Sequence, residues 1–476
     1  MRKEMKSNKR KTQLILSLAL LLANILQFAQ IAAAQQQQQQ SFWSEETEKN
    51  TDSSATATTS STRLFIDLQN GLTADGAVAL GLEKNGELQA LRKEAEAARA
   101  LVKQARLRAN PKIDASGTRE IGGMGDGSLM VEGMLPLELG GRRAARIRVA
   151  EAEAEIRELA AANQERLLAG EIRSKFGEAL ARIEKLDLLE RILSNTNQGY
   201  EIISARVTEG RTPPLEQNQL IVEVNRLRSL RESAEGQAEN AVFELKNLIG
   251  MKPEEPLRLS GSFENLVAAD VPALDAAIEQ ALLARPDLLG ARATEKLALA
   301  RIEQARAEAR PDASLKLGYQ RMRSGFPLSG IDEMGVLSPI ENRMNFLTFG
   351  VEIDLPVRNR NQGMIEAATF EREAAQRRIE FGELTIRREV NAAFARYTRA
   401  VRSLSIFQNG VRNQANANLR VVWQTYELGR RNLSDYIAEE RRFLDVENEL
   451  VDARLETYQT RIEILRAANA PGLIKK

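Results

Sequence analysis

The side chains that most often carry nucleophilic and metal chemistry are missing from this sequence, which has neither histidine nor cysteine in 476 residues. That removes histidine-dependent triads, thiol chemistry and zinc sites built from those ligands. Carboxylates remain. Asp435 and Glu439 are spaced so that a helix would put both acids on one face, the kind of pair that general acid–base work would use. Arg431 precedes Asp435 at the same spacing, so a solvated surface ion pair, worth little for stability, is the simpler account. An enzyme is therefore not expected, nor any catalytic residue, cofactor or metal site. What is left is fixed charge at a turn, and its meaning depends on the elements that hold the turn.

Those elements occur twice. The stretch Gly86 to Pro111 lies over Pro286 to Pro311 without a gap, sharing Leu88/Leu288, Arg92/Arg292 and the ending Gln-Ala-Arg-x-x-Ala-x-Pro, as in an internal duplication. After each copy the helical pattern gives way to alternating residues. A very long helical pattern then starts past Leu135-Pro136 and Leu355-Pro356, from about Arg142 to Val207 and from about Gly363 to Tyr426. Each breaks at a glycine followed by arginine, Gly210-Arg211 and Gly429-Arg430, before a last helix returns. The unit is helix, two strands, helix, turn, helix. Thr73 and Asp270 are the expected caps of its first helices.

Composition agrees with long helices and narrow apolar seams: 5% of the chain is aromatic and 28% charged. Lys plus Arg (67) nearly balance Asp plus Glu (66), so no overall field points to nucleic acid. Residues 1–34 pair a basic start with the apolar run Leu14 to Ala23 and end in Ala32-Ala33-Ala34, as in a secretory signal peptide. Residues 35–71 are a lead-in rich in Gln, Ser and Thr, unable to bury a core alone. The two repeats are assigned to residues 72–261 and 262–476.

The strands alternate with period two. Ala313, Leu315, Leu317 and Tyr319 interleave with polar or small residues, and so do Leu347, Phe349, Val351 and Ile353. The first unit repeats the pattern more weakly at Ile113 and Ala115, and at Leu129, Val131 and Leu135. Alternation over ~9 to 11 residues is how a membrane barrel strand reads. Four strands cannot close a barrel that needs ~8 or more. Either the sheet stays open or several chains share one barrel.

With these features in order, the chain resembles the TolC-like outer-membrane efflux family over roughly Leu72 to Asn469. The carriers are the duplicated unit, its Ala-x-Pro and Leu-Pro boundaries, and the run from Tyr426 through Gly429-Arg430-Arg431 to Asp435. The resemblance implies a mainly α fold with a small β part. Three chains would form a 12-stranded outer-membrane β-barrel, continued by a long periplasmic α-helical barrel. It also implies a passive exit duct in a homotrimer embedded in outer-membrane lipid, docked to a periplasmic membrane-fusion adaptor and an inner-membrane resistance-nodulation-division pump. The run Tyr426 to Glu447 is similar to members serving heavy-metal pumps, which implies heavy-metal cations as cargo. Aligning Gly429 with the family's tip glycine puts Tyr426, Arg431 and Asp435 on its tunnel constriction, while a second family aspartate falls on Ala438. Gly210, Arg211, Gly429 and Arg430 then mark the adaptor-docking tips. Val207, Thr212 and Glu216 are the first-repeat counterparts of the constriction residues. Many members carry a lipidated cysteine, and this chain departs from that pattern. The alternatives are a duct for drug efflux or type I protein secretion, or, in another class, a periplasmic coiled-coil adaptor or scaffold whose strands belong to small soluble domains.

Overall fold

The computed structural model describes residues 61–121, 126–267, 270–331 and 333–474. The expected signal peptide and most of the lead-in lie outside them. Each half opens on a helix broken near its middle. In the first half α1 (Ala74–Lys84) and α2 (Gly86–Ala105) flank Asn85, which has extended backbone angles. Its backbone N–H closes α1 on the Gly81 carbonyl at 2.9 Å, its Oδ1 caps α2 by accepting from the Leu88 N–H at 3.0 Å, and its Nδ2 donates at 2.9 Å to the carbonyl of Leu248, at the end of the return helix Pro214–Leu248. In the second half α5 (Leu274–Ala284) and α6 (Pro286–Glu308) break at Arg285, 200 positions on, whose guanidinium is buried against Asp287, Glu389 and the Ala467 carbonyl. Thr73 caps α1 as expected, accepting from the Gly76 N–H at 3.1 Å. Asp270 does not cap α5, which starts only at Leu274 behind Ala273. A cap must directly precede the first helical residue, and Pro272, which holds Val271 extended, stands between.

The long helices follow: α3 (Arg142–Thr208) and its return α4 (Pro214–Leu248), then α7 (Gln362–Ile406), α8 (Arg412–Glu427) and the return α9 (Leu433–Ala468). At ~1.5 Å per residue α3 spans roughly 100 Å. Ala, Leu, Glu and Arg dominate them, residues that lose little side-chain freedom in a helix. The second long helix is not uniform, since a π turn at Phe407–Val411 joins α7 to α8. An i→i+5 turn admits one extra residue, and nothing in an apolar pattern announces it. The main core gathers Ile172, Phe176 and Ile183 of α3 with Leu245, Leu259 and Tyr458, all nearly inaccessible to solvent. Gly177 permits this packing: a Cβ there would sit 2.5 Å from the Tyr458 ring. Among the described residues no helix is long and apolar enough to cross a membrane.

The four strands form one antiparallel sheet in chain order: β1 (Lys112–Arg119), β2 (Gly127–Pro136), β3 (Asp312–Ile331) and β4 (Leu337–Asp354). The register sets Ala115, Val131, Tyr319 and Leu347 in one row and Ile113, Gly133, Leu317 and Phe349 in the next. The alternation read from sequence thus becomes one continuous apolar face. It is uncovered, with Leu317 55%, Leu347 62% and Phe349 73% exposed. The opposite face is polar, and Lys316 bridges Glu132 at 3.7 Å and Glu352 at 2.7 Å across three strands. β3 and β4 have 20 and 18 residues, about twice the expected length, so their hairpin runs beyond β1 and β2. The outer edges of β1 and β4 are unpaired within the chain.

Candidate functional site at the helical tip

The two helical hairpins end in turns of the same chemistry. Past α3, Gly210 takes φ +71°, its N–H bonds the Val207 carbonyl at 3.0 Å, and the Arg211 N–H bonds the Arg206 carbonyl at 2.9 Å. Past α8, Gly429 takes φ +68° and repeats both bonds, to Tyr426 at 2.8 Å and from Arg430 to Thr425 at 2.9 Å. This left-handed cap satisfies carbonyls the helix leaves open, and glycine adopts it without Cβ strain. Gly210, Arg211, Gly429 and Arg430 are all exposed. Pro213 and Pro214 then start α4, where a missing N–H costs nothing.

Beneath the turns Ile203, Leu220, Leu433 and Ile437 form a small apolar cluster, joined by Tyr200, Tyr426 and Tyr436. Trp423 stacks at a tilt on Tyr436 and Tyr426, with ring centroids 4.9 and 5.8 Å apart. Tyr426 donates its hydroxyl to Glu216 Oε2 at 2.7 Å, tying the second hairpin to the first. Burial and that bond push its phenol well above the ordinary range, so it stays a donor. Arg431 and Asp435 approach to 3.8 Å, both about half exposed. Of the three expected constriction residues the chain therefore brings together Arg431 and Asp435, while Tyr426 turns to Glu216. Glu439 pairs with Arg442 at 3.0 Å, so Asp435 and Glu439 do not act as one carboxylate pair. Among the described residues no group of His, Cys, Asp or Glu could hold a metal ion.

One turn further in lies a buried charge cluster. Glu223 of α4, 1% exposed, receives Arg226 at 2.7 Å and Arg441 at 2.5 Å. Glu440, 6% exposed, accepts weak bonds from Thr196 and Tyr436, both at 3.3 Å, through one oxygen, and its Oε2 has no hydrogen-bond partner. Burial first, and the Glu223 charge second, push its carboxyl up to about 7. The sequence carries a signal for this cluster. Leu433, Ile437, Glu440, Leu444, Glu447 and Val451 step by four and three along α9, and all are buried. Acids at seam positions of a heptad mark buried polar contacts.

Comparison with known proteins places this architecture. The family model described as "Outer membrane efflux protein" matches residues 78–251 and 277–470. The cobalt-zinc-cadmium resistance protein CzcC of Cupriavidus metallidurans is 23% identical over 399 residues, covering 83% of this chain and 89% of that one. Among solved structures, a CusC transmembrane channel gives a TM-score of 0.68 at 19% identity, covering 87% of this chain and 95% of its own. The Neisseria gonorrhoeae MtrE outer membrane channel in its open state gives 0.66 at 18%, covering 87% and 93%. The Campylobacter jejuni CmeC outer membrane channel gives 0.66 at 15%, covering 83% and 85%. These likenesses share the fold. With the family model matched across both halves, the chain belongs to the outer membrane efflux protein family, a family of transport channels and not of enzymes.

Proposed function

We propose that this outer-membrane channel is the exit duct of a tripartite heavy-metal efflux system, working as a homotrimer beneath which a periplasmic adaptor and an inner-membrane pump of the resistance-nodulation-division type dock. The observation that carries the reading is the sheet: apolar and uncovered on one face, polar on the other, and open at both edges. In hydrocarbon each unpaired backbone group costs several kcal/mol, so only a closed barrel is viable. β4 of one copy runs antiparallel to β1 of the next, and three copies would close a ring of 12 strands with the polar face inward. The resemblance of CzcC, whose name specifies cobalt, zinc and cadmium resistance, supports divalent metal cations as cargo.

At the other end the exposed turns Gly210-Arg211 and Gly429-Arg430 are the surfaces assigned to adaptor docking. Asp435, beside Arg431, is assigned to the tunnel constriction, with Tyr426 as the latch that holds the second hairpin against Glu216. Three copies of Asp435 about one axis would form a negative ring that attracts cations. Two measurements test this reading. Native mass in detergent after outer-membrane fractionation should give a trimer, and a detergent-free soluble monomer would reinstate the periplasmic scaffold. In planar bilayers Asp435→Ala should lower the preference for cations over anions, and unchanged selectivity would remove Asp435 from the constriction.

A further inference from the structure

On the otherwise apolar face of the sheet, charge is confined to the end away from the helices. The register aligns Arg119 of β1 with Gly127 of β2, Arg323 of β3 and Arg343 of β4. Residues paired across neighbouring strands point to the same side. This row is in phase with the Ala115–Val131–Tyr319–Leu347 row, so its arginines leave the sheet on the apolar face. Arg321, one row nearer the helices and in the same phase, joins them, and all four arginines are exposed.

The row sits at the end of the apolar band away from the helices, the end that faces the outer leaflet when the helices hang in the periplasm. At the near end the same face carries Leu135, Leu315 and Ile353 and no charge within the strands. Solvated surface charge accounts for any one of these arginines but not for this one-sidedness. Local pairing does not account for it either. Arg323 and Arg343 share Glu341, and among the described residues no carboxylate pairs with Arg119 or Arg321. Of the other acids at this end, Glu120 and Asp126 bind backbone N–H groups of Asp126 and Gly325, and Glu333 stands beyond the row in the turn between β3 and β4. The outward face therefore holds a positive surplus at one depth. Gly127 leaves a bare seat between Arg119 and Arg323, which stand two strand spacings, roughly 10 Å, apart. Arg323 also reaches Glu341 on the β4 side, and guanidinium forks brought to that seat from its two sides would match the geometry of a phosphate group.

We propose that Arg119, Arg323 and Arg343 bind the phosphates of lipid headgroups in the outer leaflet, with the headgroup seated over Gly127. The inference rests on the barrel reading, in which the apolar face meets hydrocarbon, and its test separates the two. The purified full chain in a neutral detergent is titrated with diphosphorylated lipid A, with dephosphorylated lipid A and with inorganic phosphate, and retained lipid is counted by native mass spectrometry. The phosphorylated lipid should be retained in preference by roughly tenfold or more. The combined Arg119→Gln, Arg323→Gln, Arg343→Gln variant should lose that preference, whereas the corresponding lysine variant should keep part of it. Equal retention of both lipids by the unaltered chain overturns the proposal without reference to any variant, as does an unchanged preference in the glutamine variant. Displacement of the lipid by low millimolar phosphate would reduce the row to a simple anion site and likewise overturn it. A chain that stays soluble without detergent and retains neither lipid defeats the barrel itself.

Discussion

Glu440 holds a carboxyl raised to about 7 inside the tip hairpins, where Glu223, Arg226 and Arg441 surround it. Its sign follows from linkage. Between the ordinary carboxylate value and about 7 the folded protein binds a proton that the unfolded chain has released, so this group's contribution to stability falls as pH rises through that window. Glu440→Gln keeps an acceptor for Thr196 and Tyr436 and removes the buried charge. It should stabilise the tip by on the order of 3 kcal/mol at pH 8 and leave it nearly unchanged at pH 4, readable as slower hydrogen exchange in α9. A variant showing the same gain at both pH values would mean the carboxyl is not buried as described. Tyr426→Phe deletes the donor to Glu216 and should weaken the contact between hairpins by about 1 kcal/mol. Hydrogen exchange around Leu428 to Asn432 should quicken, while the part of α3 in the main core, around Ile172 and Phe176, keeps its protection.

Three glycines separate backbone demand from packing demand at the scale of the element. A Cβ on Gly429 would meet nothing within 4 Å, so its requirement is the φ of +68° alone. Gly429→Ala should cost about 1 kcal/mol in the tip turn. Gly236 lies inside α4 with equally open space and ordinary helical angles, so Gly236→Ala should stabilise by up to about 1 kcal/mol. Gly177 is the opposite case. Its Cβ would strike the Tyr458 ring, which the core encloses, and Gly177→Ala should cost about 1–3 kcal/mol through overpacking. Denaturation in detergent of the three variants should rank Gly236→Ala above the unaltered chain and both others below it.

For the whole molecule, the decisive quantity is the free energy of the uncovered sheet. Phe349 lies mid-band on the apolar face, and in a lipid-facing barrel Phe349→Arg should cost about 2–4 kcal/mol. In a protein whose sheet met water the same change would be neutral or would improve solubility. Folding titrations into lipid vesicles distinguish these outcomes, and a neutral result would count against the assembly of three chains into one barrel.

What the sequence determined by itself was everything local and periodic. Period-two alternation named the strand residues that line the apolar face, because side chains on a strand must alternate. Gly210 and Gly429 named the tip turns, because a left-handed cap strongly favours glycine. The long helical patterns named α3 and, apart from its π turn, the α7–α8 helix. Tertiary structure alone decided which distant groups meet. Tyr426 reaches Glu216 across 210 positions, and Arg119, Arg323 and Arg343 share a row only because three strand pairings fix one register. Those contacts depend on the relative placement of elements, which no local periodicity encodes. The same holds for Glu440, whose carboxyl is raised by burial among α3, α4 and α9 and by the Glu223 charge, whereas Asp270 is passed over as a cap for the local reason that Pro272 stands between it and α5.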